Sequence, residues 1–243
     1  MKKLAYIIPA VSLLAVATGA FAFHTPEHYS LFGEASYVSP GNASNRAVHL
    51  VSDASPGYAG VDYGVESGIT FAQLGALNTD YRFETDDSCA GGSPRFQIAL
   101  ASPDNTDTGN MFVYIGPPPN YTNCPAGAWL NTGDLLEGVN PVDTSQLDGG
   151  TFYDPYATAL VKYGNYTVTG IQLVVDAGWA FADSEQAFDV DNTLVAATLF
   201  TYEIPVPSTK DQCKQGGWMD MARPDGTPFS NQGDCVSYVA SGK

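Results

Sequence analysis

The chain has 243 residues, with 10 Lys and Arg against 26 Asp and Glu, and a formal charge of −16. Phosphate backbones and anionic membranes are bound through Lys and Arg, so this charge excludes nucleic acid as a partner and disfavours an acidic membrane surface. The acidity fits cation binding or solubility in salty surroundings, and Gly, Pro, Thr, Ser, Asn, Tyr and Val dominate over the Leu, Glu, Lys and Arg of surface helices, so β structure is expected.

Lys2 and Lys3 precede an apolar run from Leu4 to Val16 and small residues ending in Ala20-Phe21-Ala22. That is the pattern of a secretory signal peptide over residues 1–22, with the mature chain starting near Phe23. The run is shorter than the roughly 20 apolar residues of a spanning helix, and no later stretch approaches that length. The expectation is an exported protein, extracellular or at a cell surface, and not membrane-spanning. His24 and His28 are four residues apart, but Pro26 between them argues against a metal-binding helix face.

Residues 23–204 are expected to form one β domain. Candidate strands are Glu34–Val38, Ala47–Val51, Gly60–Val65, Thr70–Leu74, Thr79–Glu84, Arg95–Ala101, Met111–Ile115, Ala157–Val161, Thr167–Asp176, Ala187–Asp191 and Leu194–Tyr202. Turn clusters such as Ser39-Pro40-Gly41-Asn42, Ser55-Pro56-Gly57, Gly91-Gly92-Ser93-Pro94 and Gly116-Pro117-Pro118-Pro119-Asn120 separate them. In Arg95-Phe96-Gln97-Ile98-Ala99-Leu100 apolar residues recur every second position, as in a strand with one wet face. Ten or so short strands without intervening helices predict an all-β, antiparallel two-sheet jelly-roll sandwich.

Four cysteines in an exported chain predict two disulfides. Three pairings are possible. Cys89–Cys124 with Cys213–Cys235 is preferred because the last two share a compact segment, and neither the spacings nor His49 supply a zinc site. The long loop from Gly116 to Thr151 would then be stapled back beside Gly91.

Calcium is the metal the acidic turns fit, since it takes six to eight oxygens from carboxylates and loop carbonyls. Asp104 and Asp107 flank a turn, Asp189 and Asp191 share one side of an extended segment, and Asp86-Asp87 adds a third acidic spot. Asx-turns and solvated surface explain the same residues. Sugar binding is the parallel expectation, because pyranose rings stack on exposed aromatic faces. Tyr121, Trp129, Tyr153 and Trp179 are the candidates on or beside loops, against a background of 14 tyrosines that pack well in any β protein.

Residues 205–212, with Pro205 and Pro207, form a stiff linker to a small unit over residues 213–243. That unit contains Cys213-Lys214-Gln215-Gly216-Gly217-Trp218 and Phe229-Ser230-Asn231-Gln232-Gly233-Asp234-Cys235-Val236, and needs its disulfide and Trp218 to hold together. The C-x-x-G-G-W…F-x-N-Q-G-x-C-V arrangement resembles a short tail at the C-termini of many secreted bacterial proteins, which implies export and surface association. The Asn42, Asn120 and Asn165 sequons are then chance matches. Asp189-Val190-Asp191-Asn192 before the final strands resembles galactose-binding-like jelly rolls, which implies a carbohydrate-binding module.

No G-x-S-x-G, H-E-x-x-H, P-loop or dinucleotide motif is present. His49, between Val48 and Leu50, fits a structural role. The expected function is a secreted, non-catalytic binding or structural module that recognises glycans or other surface components and carries a structural calcium ion. The alternatives are a glycan hydrolase, for which Glu66, Glu84, Glu137 or Glu185 could pair across a cleft, and a cell-surface assembly protein.

Overall fold

The computed structural model describes residues 28–53, 57–137, 140–224 and 226–241. The expected signal peptide and His24 lie outside the described residues, as do Ser55 and Pro56 of one expected turn. Twelve strands run in the order β1 (Tyr29–Val38), β2 (Ala47–Ser52), β3 (Ala59–Tyr63), β4 (Leu77–Phe83), β5 (Arg95–Ala101), β6 (Thr108–Tyr114), β7 (Leu130–Asn131), β8 (Pro141–Val142), β9 (Asp154–Pro155), β10 (Thr167–Val175), β11 (Gln186–Val195) and β12 (Thr198–Phe200). Two helices join them, α1 (Tyr156–Tyr163) and α2 (Gln232–Ser241).

One layer has the order β3-β10-β5-β6 and the other β2-β11-β4-β7, every pairing being antiparallel. Consecutive strands repeatedly cross between layers, as from β2 to β3, β4 to β5 and β10 to β11. This interleaving of two four-stranded sheets is the jelly-roll topology. β1 closes one edge of both layers: Tyr29–Gly33 pairs with β3 and Glu34–Val38 with β2. The change of sheet occurs at Gly33, whose φ of +64° and close approach to the Tyr58 carbonyl leave no room for a side chain.

Alternation builds the core. In β4 the residues Leu77, Thr79, Tyr81 and Phe83 point inward, and in β5 Phe96, Ile98 and Leu100 do so. They meet Val61, Met111, Ile171, Leu173, Phe188 and Val190 from the facing strands. Each large apolar side chain so buried is worth about 1.5–3 kcal/mol relative to exposure. A chain of hydroxyls crosses this core, from Tyr63 through Tyr202 and Thr193 to Thr79, with Thr193 2.7 Å from Tyr202 and 2.8 Å from Thr79. Among the described residues no buried side-chain polar atom lacks a partner.

Two expected strands are something else. Thr70–Leu74 contains a 3₁₀ turn over Phe71–Gln73, because Gln73 folds back to accept from the Thr70 backbone amide at 3.0 Å and its hydroxyl at 3.0 Å. Ala157–Val161 lies inside α1, where Tyr156, Ala159 and Tyr163 recur at helical spacing and bury one face, Tyr156 meeting Phe71 edge-on. The expected segments Ala187–Asp191 and Leu194–Tyr202 share one strand, β11, interrupted by a register shift between Asp191 and Leu194 and followed by β12.

Both expected disulfides are formed, Cys89–Cys124 and Cys213–Cys235. The first anchors the long excursion after β6 to the turn before β5. The second sits in a small cluster of its own with Phe229, against which Trp218, Met221, Val236, Tyr238 and Val239 pack. Asn231 caps α2 by accepting from the Asp234 amide at 3.0 Å. No helix among the described residues is long and apolar enough to cross a membrane.

Candidate functional site

The outward residues of β5 and β6 follow from the same alternation that fills the core. With Phe96, Ile98, Met111 and Val113 inside, Arg95, Gln97, Phe112 and Tyr114 face outward, Arg95 opposite Tyr114 and Gln97 opposite Phe112. Gln172 of β10 continues the Gln97 row. Two connections build walls on this face. The segment ending in Asp143 runs beside β6, exchanging both backbone hydrogen bonds with Phe112 at 2.9 Å, and its return through β9 carries Phe152 outward. On the other side the chain after β10 makes a short 3₁₀ turn, Gly178–Ala180, that presents Trp179.

Between these walls lies a cleft of about 370 Å³, lined by Gly91, Gly92, Arg95, Phe112, Tyr114 and Asp176 on its floor and by Asp143, Ser145, Gln146, Phe152 and Trp179 around it. That is within the size range of small-ligand sites. Phe152 and Trp179 are 65% and 74% exposed, unusual for rings of this size. The Gly91-Gly92 turn supports the rings: a β-carbon on Gly91 would come 2.9 Å from Trp179 and one on Gly92 3.1 Å from Tyr114.

Charge in the cleft is tightly committed. Arg95 Nη1 and Nη2 donate to the two Asp176 oxygens at 2.7 and 2.6 Å, a two-pronged pair. The remaining N–H groups donate to the Gly92 carbonyl at 3.0 Å and to Gln97 Oε1 at 2.9 and 3.2 Å, and the guanidinium lies over Phe112. Asp143 is buried, accepting from the Tyr114 hydroxyl at 2.6 Å and the Ser145 amide at 2.9 Å. Burial, followed by the hydrogen bond to Asp143, drives the Tyr114 hydroxyl far above the ordinary phenol range.

Of the aromatics singled out from sequence, only Trp179 lines the cleft. Tyr153 meets Tyr114 edge-to-face at 6.3 Å between centroids, buried Tyr121 meets it tilted at 5.1 Å, and both back the wall. Trp129 lies with the other layer, where Arg82 covers its ring at 4.9 Å. Arg95, Phe112, Tyr114, Asp143, Phe152 and Asp176 were not singled out. The strand residues among them are marked by the alternation in β5 and β6, whereas Phe152 is placed by a loop path that leaves no periodic signal.

The acidic candidates do not converge. Asp104 closes an Asx-turn, accepting from Ser102 Oγ at 2.7 Å and Thr106 Oγ1 at 2.8 Å, while Asp107 accepts from the Tyr166 hydroxyl at 2.7 Å. Asp189 and Asp191 do share the outward face of β11. Asp189 is taken by His49 at 2.7 Å and by Arg82, and Asp191 by Asn42, Ser44 and Asn192. Burial alone would raise both carboxyls. The His49 and Arg82 hydrogen bonds hold Asp189 below the usual range, whereas burial prevails at Asp191 and leaves it raised. Among the described residues no group of three His, Cys, Asp or Glu side chains is arranged to hold a metal. Glu66, Glu84, Glu137 and Glu185 are exposed and none lines the cleft. A larger, more open depression of about 790 Å³ beside α1 is lined by Thr70, Ala72, Gln73, Leu160, Val161, Lys162, Gly164 and Asn165, without an aromatic or a carboxylate.

No family model matches the chain, and no curated protein matches it. One solved structure, described as "Structural analysis of an exo-beta-agarase", is similar over 76% of this chain and 25% of its own, with 12% identity and a TM-score of 0.37. The chain thus spans a quarter of that structure's length, and a likeness at this level bears on neither fold nor function.

Proposed function

We propose that this protein is an exported glycan-binding module whose ligand lies in the cleft between Phe152 and Trp179. The observation that carries the reading is the pairing of two largely exposed rings with a fixed polar floor. Apolar ring faces stack on the C–H faces of sugars, while Gln146 and Ser145 can exchange hydrogen bonds with hydroxyls. A floor already held rigid by the Arg95–Asp176 pair loses little entropy on binding. The two disulfides and the signal-like start support export, and the terminal tail supports surface association by resemblance. Hydrolysis is not favoured, since both cleft carboxylates are occupied by internal partners.

The test is affinity electrophoresis of the mature, oxidised protein through gels containing soluble polysaccharides. At least one polysaccharide should retard the wild-type protein, and Trp179→Ala should weaken that binding by about ten-fold through lost stacking. Equal retardation of wild type and variant would remove the cleft from the interaction. The same series with calcium and with EDTA tests for a structural ion in the acidic turns.

A further inference from the structure

The cleft also carries information about the charge of its occupant, which rests on the glycan-binding reading above. Arg95 is the one Lys or Arg among the described residues that line it. A guanidinium has five N–H donors, and here each has an internal acceptor: Nε meets Gln97, Nη1 meets Gly92 and Asp176, and Nη2 meets Gln97 and Asp176. A carboxylate or sulfate on the ligand would have to break the Asp176 pair to be recognised. The chain as a whole, at −16, adds repulsion for a polyanion. The cleft carboxylates give an anion no help: Asp143 is 1% exposed and already accepts from Tyr114 and Ser145, and Asp176, whose side chain is 33% exposed, repels it.

We infer that the cleft favours uncharged glycans over uronate- or sulfate-bearing chains, because every donor of its one cation is already on an internal acceptor. Specificity here comes from leaving no free countercharge for a charged competitor. Gln146, exposed on the rim, is the position where a single change would undo the rejection.

The experiment is calorimetric titration of the mature protein with matched oligosaccharides. Each neutral chain is compared with its C6-oxidised, carboxylate-bearing form. The expected result is binding of a neutral member, at least about ten-fold weaker binding of its charged counterparts, and little change between low and high salt. Gln146→Lys, which places a free cation on the rim, should raise affinity for the oxidised form about five-fold, a surface ion pair's worth. Because Gln146 also faces ligand hydroxyls, the quantity read is the ratio of affinity for the oxidised form to that for the neutral form, which should rise in the variant even where neutral binding weakens. Tighter binding of the oxidised form by the wild-type protein, weakened by salt, would overturn the inference while keeping the glycan reading. Failure of every oligosaccharide to bind would sink the glycan reading itself.

Discussion

Trp179 stands over Gly91, and two properties of that glycine are used at once. Its φ of +59° is a conformation that costs a side-chain-bearing residue about 1–2 kcal/mol, and a β-carbon there would press on the indole at 2.9 Å. Gly91→Ala should therefore lower unfolding stability by about that amount and change the fluorescence of the exposed Trp179. Urea titration followed by tryptophan emission measures both. Stability loss with an unchanged emission spectrum would mean that the ring does not rest on the turn. On the other layer, Asp189 ties His49 and Arg82 together from a 3% exposed position. Asp189→Asn should cost about 2 kcal/mol by weakening two charge-assisted hydrogen bonds, visible as a lower urea midpoint.

Among the elements, the excursion between β6 and β10 is the one whose placement makes the cleft, and Cys89–Cys124 is what anchors its start. The two cysteines are 35 residues apart, and closing a loop of that length restricts the unfolded chain by about 3–4 kcal/mol. Cys89→Ala with Cys124→Ala should lose stability of that order, read from urea unfolding against the wild type. How much of this architecture is legible without a structure varies by element. The run Arg95–Ala101 coincides with β5 because its alternation is strict, and the cysteine pairs follow from compartment and spacing. Ala157–Val161 is a short, largely apolar run that reads equally as a buried strand; the inward series Tyr156, Ala159 and Tyr163, with Tyr156 against Phe71, decides for a helix. The cleft is legible in half, since Arg95 and Tyr114 follow from the wet face of their strands. Phe152 and Asp143 depend on where a long loop returns, which no local pattern encodes.

Among the described residues, Asp87, Asp189, Asp191 and His49 are the partly buried groups that set the response to pH around the β domain, while hydrogen bonds lower the surface carboxyls Asp104, Asp211 and Asp234. Burial raises Asp87 to about 6 and raises Asp191, so each is harder to ionise folded than unfolded, and stability falls as pH climbs from 3.8 through their folded values. His49 is raised above 6.5 by its hydrogen bond to Asp189. Its contribution is complete below 6.5 and is lost as pH rises through the folded value. Asp189, held low, contributes above 3.8 and loses that contribution as pH falls through its folded value. Stability should peak near pH 4 and decline toward neutrality, first through Asp87 and Asp191 and then through His49, with Asp87→Asn flattening the decline between about 4 and 6. Thermal unfolding from pH 3 to 9 tests this, and a maximum above pH 7 would contradict it.

Whether a glycan occupies the cleft is decided by mapping amide chemical shifts during titration with a neutral oligosaccharide. Shifts should concentrate at Gly91–Gly92, Arg95, Phe112–Tyr114, Asp143–Tyr153 and Asp176–Trp179, on one outer face. Shifts confined to the opposite layer around His49, Arg82 and Trp129, or to the terminal unit around Trp218, would contradict it.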